Sequence, residues 1–124
     1  MSLDAWKYKA TQPEAAAHLV RAVGGTTAVT KQIGTGVAVT RTGAGAYRLT
    51  WSENPGNFIN AIATLEAATP GDVAGHTVVF DTWDATNLRL DLVVYNASDS
   101  AHDLAANEYF NVVANFKPTA VGGA

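Results

Sequence analysis

From Thr26 to Phe116 apolar and polar side chains alternate with a period of two, and glycine, asparagine or proline interrupts the runs at short intervals. A period of two belongs to an extended strand, whose successive side chains point to opposite faces, so this stretch is committed to β structure. Val37 and Val39 alternate with Ala38 and Thr40; Thr42-Gly43-Ala44-Gly45 makes a turn; Tyr47, Leu49 and Trp51 then alternate with Arg48 and Thr50. That is a hairpin signature. After the breaker Asn54-Pro55-Gly56-Asn57, Phe58 to Glu66 carries apolar residues on both faces, as a strand covered on both sides would, and Ala68-Thr69-Pro70-Gly71-Asp72 ends it. Thr77 to Trp83 is a further run, joined through Asp84-Ala85-Thr86-Asn87 to the cleanest alternation of the chain, Leu88, Leu90, Leu92 and Val94 against Arg89, Asp91, Val93 and Tyr95. Phe110, Val112, Ala114 and Phe116 alternate last with Tyr109, Asn111, Val113 and Asn115. Six or seven short strands with turns at this spacing predict a mainly β fold, an antiparallel β-sandwich or jelly roll, and argue against βαβ units.

The N-terminal part reads differently. Ala16, Leu19, Val20 and Val23 follow the i, i+3, i+4, i+7 rule of an amphipathic helix. Thr11 and Glu14 have capping-box spacing, Pro13 suits a first turn and Gly24 suits a left-handed C-terminal position, so the spacing predicts a short helix over 11–24. Residues 1–10, with Trp6 and Tyr8 alternating with Lys7 and Lys9, read as an extended N-terminal arm. The organisation expected is that arm, then a single domain over 11–124, with strands over 26–117 and a flexible tail over 118–124.

A chain of 124 residues is the size of one domain and buries enough surface to hold a core without staples. It has no cysteine to staple with, which excludes disulfide scaffolds, Cys-based zinc sites, iron–sulfur clusters and thiol nucleophiles. A net charge of −3 and a pI near 5.4 give no electrostatic footprint for nucleic acid or an anionic membrane. Charged residues make up 15% of the chain, well below the usual ~25%, which suggests a surface that meets other protein. No run approaches the ~18 apolar residues of a membrane helix, and the first ten residues lack the basic-then-apolar pattern of a signal peptide, so a cytosolic or assembly context is expected.

Sites for chemistry are sparse. Asp99-Ser100-Ala101-His102-Asp103 offers oxygen and nitrogen ligands to a metal, but loops collect Asp and Ser for local hydrogen bonding, and the polar-loop reading is preferred. Asp81 and Asp84 flank Trp83, a spacing that offers a carboxylate pair for glycosidic acid–base work, yet nothing else completes such a site and Asp84 suits the start of the following turn. No Gly-x-Ser-x-Gly elbow is present, and His18, His76 and His102 fall in separate segments, so no nucleophilic triad is expected. Gly34-Thr35-Gly36 lacks the remainder of a dinucleotide fingerprint. Asn96-Ala97-Ser98 matches a glycosylation sequon, an accidental match in a chain read as lacking a secretory signal. No catalytic residue, cofactor or metal site is expected.

Contact is the more promising class. Tyr47 and Trp51 share the Leu49 face and belong to a core, whereas Tyr95 stands with Arg89 and Asp91 on the polar face of its strand. Aromatic residues and arginine are enriched at interface hot spots, so Trp6, Lys7, Tyr8, Lys9, Arg89, Asp91 and Tyr95 are the candidate partner contacts. The alternative for Trp6 and Tyr8 is that they fold back onto their own domain.

The run Gly36-Val37-Ala38-Val39-Thr40-Arg41-Thr42-Gly43-Ala44-Gly45-Ala46-Tyr47-Arg48-Leu49-Thr50-Trp51, the segment Asn57-Phe58-Ile59-Asn60-Ala61 leading into Ala63-Thr64-Leu65, and the late step Asp103-Leu104-Ala105-Ala106-Asn107-Glu108 together resemble a family of small virion structural proteins of tailed bacteriophages. The resemblance spans Gly36 to Phe116 and departs from the family pattern at His102, where an alanine-like residue is expected. It implies a non-enzymatic β-sandwich that assembles on a virion, a capsid decoration protein on the head surface made in the host cytoplasm. Its partners would be the major capsid protein or other virion proteins and further copies of itself, as a trimer, with no nucleic acid or membrane. The alternative is a tail- or fibre-associated sandwich that binds carbohydrate or a receptor, with Trp83 or Tyr95 as the stacking platform.

Overall fold

The computed structural model describes residues 15–25 and 28–118. Among them eight strands form two antiparallel four-stranded sheets. The first sheet has the order β2-β1-β8-β5, built from β1 (Ala16–Gly24), β2 (Val29–Ile33), β5 (Asn57–Ala67) and β8 (Glu108–Lys117). The second has the order β3-β4-β7-β6, built from β3 (Val37–Gly43), β4 (Ala46–Trp51), β6 (Thr77–Phe80) and β7 (Arg89–Tyr95). A 3-10 turn over Pro70–Val73 lies between β5 and β6.

The alternation seen in the sequence sets the core. Val20 and Ala22 of β1 and Phe110, Val112, Ala114 and Phe116 of β8 point inward from the first sheet. Val37, Tyr47, Leu49 and Trp51 of β3 and β4, with Leu90, Leu92 and Val94 of β7, meet them from the second, and all are buried. Every second residue of each central strand thus fills one layer between two sheets, the arrangement of a β-sandwich. Tyr47 and Trp51 lie in that layer.

The helix expected over 11–24 is not what the described part forms. Ala16–Gly24 is strand β1, paired with β8 from Ala16↔Phe116 to Val23↔Tyr109 and with β2 from Arg21↔Ile33 to Gly24↔Val29. Val20 and Ala22 point in while Leu19 points out, 60% exposed, which is a period of two. A lone short helix is marginal in water, whereas a strand with neighbours on both edges satisfies its backbone groups in two ladders, and tertiary pairing overrides the helical spacing. Gly24 is no helix cap either: its φ lies outside the left-handed region, and a Cβ there would run into the Leu104 carbonyl oxygen. Residues 11–14, the proposed arm and residues 119–124 of the proposed tail lie outside the described residues.

A second correction concerns β5, expected to be covered on both sides. It is an edge strand of its sheet, and Ile59 and Ile62 on its outer side are 50% and 60% exposed. The inner side alone, through Phe58, Ala61, Ala63 and Leu65, packs on the core. A register shift between Phe58 and Asn60 marks a bulge that turns Ile59 outward.

Candidate functional site

The two ends of the sandwich are closed in different ways. At one end the β7–β8 connection folds over the core and is tied down by side chains. The Tyr47 hydroxyl, buried at the bottom, accepts a hydrogen bond from the Leu104 backbone N–H at 2.8 Å, and burial pushes its phenol pKa up. Asp103 receives both Arg41 Nε and Nη2, at 3.0 and 2.9 Å, together with the Gly45 N–H at 2.7 Å. The Arg41 guanidinium holds that carboxyl below the usual carboxylate range. Glu108 Oε1 accepts the Ala105 N–H at 2.8 Å. Gly45, at φ 66°, lets this segment lie close, since a Cβ on it would come within 2.5 Å of the His102 nitrogen.

The opposite end is filled by rings instead. Phe116 of β8 is met edge-on by His18 of β1, Trp51 of β4, Phe58 of β5 and Trp83, with centroids 5.2, 5.3, 5.6 and 5.1 Å away. Trp51 Nε1–H donates to His18 Nδ1 at 3.2 Å, which places the remaining proton of a neutral His18 on Nε2. Trp83 and Phe58 lie nearly parallel, 10° between planes and 5.8 Å between centroids, an offset stack. This packing leaves a cleft of about 660 Å³ at the seam where β5 and β6 face each other. Phe58, Ala61, Phe80 and Trp83 give it an apolar floor, and Asn54, Asn57, Asp81 and Thr82 give it a polar rim. A second hollow, about 370 Å³, lies on the other side of the β4–β5 loop and takes in His18, Trp51 and Glu53.

The outer faces of the sheets also contrast. On the second sheet Arg48 grips Asp91 through Nε and Nη2 at 2.8 and 3.0 Å, and Arg89 Nε lies 3.3 Å from Asp84. On the first sheet Leu19, Val113 and Ile62 stand opposite one another on three adjacent strands, with Ile33 and Ile59 nearby, forming an exposed apolar band. Beside the band Arg21 binds Glu66 through both terminal nitrogens, Asn111 Oδ1 at 2.9 Å and Gln32 Oε1 at 3.0 Å, and it lies 4.2 Å over the Tyr109 ring. The bidentate Arg21 contact draws the Glu66 carboxyl down to about 2.

These positions locate the residues singled out in the sequence. Arg89, Asp91 and Tyr95 share the outer face of the second sheet, with both charges paired inside the chain; Tyr95 is half-buried, opposite Thr77 and bridged to Ala101. Trp6, Lys7, Tyr8 and Lys9 lie outside the described residues. Asp84 does form the turn: its Oδ1 accepts the N–H groups of Thr86 and Asn87, each at 3.0 Å. Asp81 instead lines the cleft, its Oδ1 accepting the Thr82 N–H at 2.7 Å. The Asp99, His102 and Asp103 trio is divided, with Asp103 held by Arg41 and His102 set edge-on to His76 at 5.4 Å. Among the described residues no three His, Asp or Glu side chains gather as a metal site. Sequence reasoning missed the cleft and the apolar band. The signal for the band was the two-sided hydrophobicity of Phe58 to Glu66, taken as a sign of cover; for the cleft it was Trp83, named as a stacking platform beside Asp81, while the walls that complete it come from β5 and from the β6–β7 connection. Comparison with protein-family models, with curated proteins and with solved structures finds no match for this chain.

Proposed function

We propose that the chain is a non-enzymatic structural component of a tailed-phage virion, a capsid decoration protein that assembles as a trimer and lays the outer face of its first sheet on the major capsid protein of the assembled head. The observation that carries this reading is the apolar band of Leu19, Val113 and Ile62 on three adjacent strands, in which Leu19 and Ile62 are exposed and Val113 is half-buried. Exposed contiguous apolar area on a domain with so few charges suits burial against protein. The charges beside it suit burial as well, because Arg21 and Glu66 already satisfy each other. The sequence likeness over Gly36 to Phe116 supplies the class of assembly. Trp6 and Tyr8, alternating with Lys7 and Lys9, provide a second contact from the N-terminal arm.

The test is co-sedimentation with purified heads of the parent particle from which this protein has been removed. Leu19→Lys and Ile62→Lys replace exposed side chains and leave the fold intact, and the pair lowers occupancy by at least about a hundredfold, since two apolar anchors near 2 kcal/mol each are lost. Deleting residues 1–10 lowers it further. Undiminished occupancy of the lysine variants, or absence of the chain from purified particles by mass spectrometry, overturns the reading.

A further inference from the structure

We infer that the cleft between β5 and the β6–β7 connection is a binding site for a neutral saccharide. Its volume, about 660 Å³, falls in the range of small-molecule sites. Phe58, Phe80 and Trp83 line it, and Trp83 is held by Phe58 stacked on one face and by Phe116 and Trp51 edge-on, so its ring is fixed before any ligand arrives.

The polar rim carries hydrogen-bonding capacity that the described residues leave unused. Among the described residues Asn57 and Thr82 make no side-chain hydrogen bond. Asn54 engages only Oδ1, toward the Gly56 N–H at 2.9 Å, and Asp81 engages only Oδ1, toward the Thr82 N–H at 2.7 Å. Asn54, Asn57, Asp81 and Thr82, all lining the cleft, thus offer it a mixture of donors and acceptors. A pyranose has an apolar C–H face and an edge of hydroxyls that both donate and accept, which matches an aromatic floor beneath such a rim. Charge narrows the class further: among the described residues that line the cleft, Asp81 is the one ionised side chain. A phosphate or an acidic sugar would meet a carboxylate with no counter-charge.

This inference stands apart from the assembly reading, because the cleft and the Leu19, Val113, Ile62 band share no residue. The experiment uses the full chain on an array of neutral and acidic glycans, followed by titration of the best ligand with intrinsic tryptophan fluorescence. We expect saturable binding of a neutral glycan with a change in Trp emission. Asp81→Asn, which alters an exposed side chain and spares the fold, weakens binding at least about tenfold, as loss of a charge-assisted hydrogen bond does, and Asp72→Asn on the 3-10 turn leaves it unchanged. Absence of binding to every neutral glycan, preference for acidic glycans or a peptide, or equal affinity of Asp81→Asn and the wild type overturns the proposal. None of these outcomes alters head binding.

Discussion

The end of the sandwich held by Tyr47, Asp103 and Glu108 and the end filled by Phe116, Trp51 and Trp83 solve the same problem with different chemistry. Both must cover the edge of a core where strands stop and loops begin. The first does so with directional bonds to backbone N–H groups, which fix one path for the β7–β8 connection. The second does so with rings packed edge-on, which seal the core but cannot follow the outline of the loops, and a cleft remains. Directional bonding rigidifies, while ring packing leaves shaped space. The cleft and the second hollow both lie at the aromatic end, where the β2–β3, β4–β5 and β6–β7 connections meet.

The contrast is open to test by substitution. Phe116→Ala removes the ring that four others touch and should destabilise by about 4 kcal/mol, the range for a buried Phe truncation, with the loss read as a shift in the denaturation midpoint. If the rings repack around the space, the loss falls to half that, and the aromatic end is more plastic than described. At the bonded end Gly45→Ala places a Cβ against the His102 backbone in a left-handed conformation, and we expect about 3 kcal/mol, combining backbone strain with overpacking. Tyr47→Phe leaves the Leu104 N–H buried without its acceptor and should cost about 2 kcal/mol, close to 8 °C in Tm for a domain of this size. A melting temperature equal to wild type would mean that packing of the Tyr47 ring, not its hydroxyl, closes this end.

The smallest effect concerns neither end but the ion pair on the first sheet. The Glu66 carboxyl is held at about 2 in the folded chain against an ordinary 4.5, so its stabilisation is present above about pH 4.5 and is lost as pH falls toward 2. Melting temperatures of the wild type and Glu66→Gln should differ most near pH 6 and converge near pH 2. A gap of constant size across that range would show that the Arg21 contact contributes through packing on Tyr109 instead of charge.

The amino-acid sequence by itself determined the β class, the inward set from Val37 to Phe116 and the turn at Asp84, because each depends on alternation or on a side chain bonding its own neighbouring backbone. Tertiary structure decided what alternation cannot express. Ala16 to Gly24 contains apolar residues compatible with two periods, and only pairing with β8 and β2, distant or unmarked in the sequence, selected the strand. Arg41 and Asp103 lie sixty-two positions apart and become partners only when the β3–β4 turn meets the β7–β8 connection. The outer residues of β5 look like core in sequence because hydrophobicity reports a tendency to be buried and not the identity of what buries it. Whether Ile62 faces a second layer or the outside depends on the position of its strand at the edge of a two-layer stack, which is a property of the assembled sheets. The cleft is of the same kind: Asn57 and Asp81 are brought to one rim by two edge strands of different sheets, and no local period encodes that meeting.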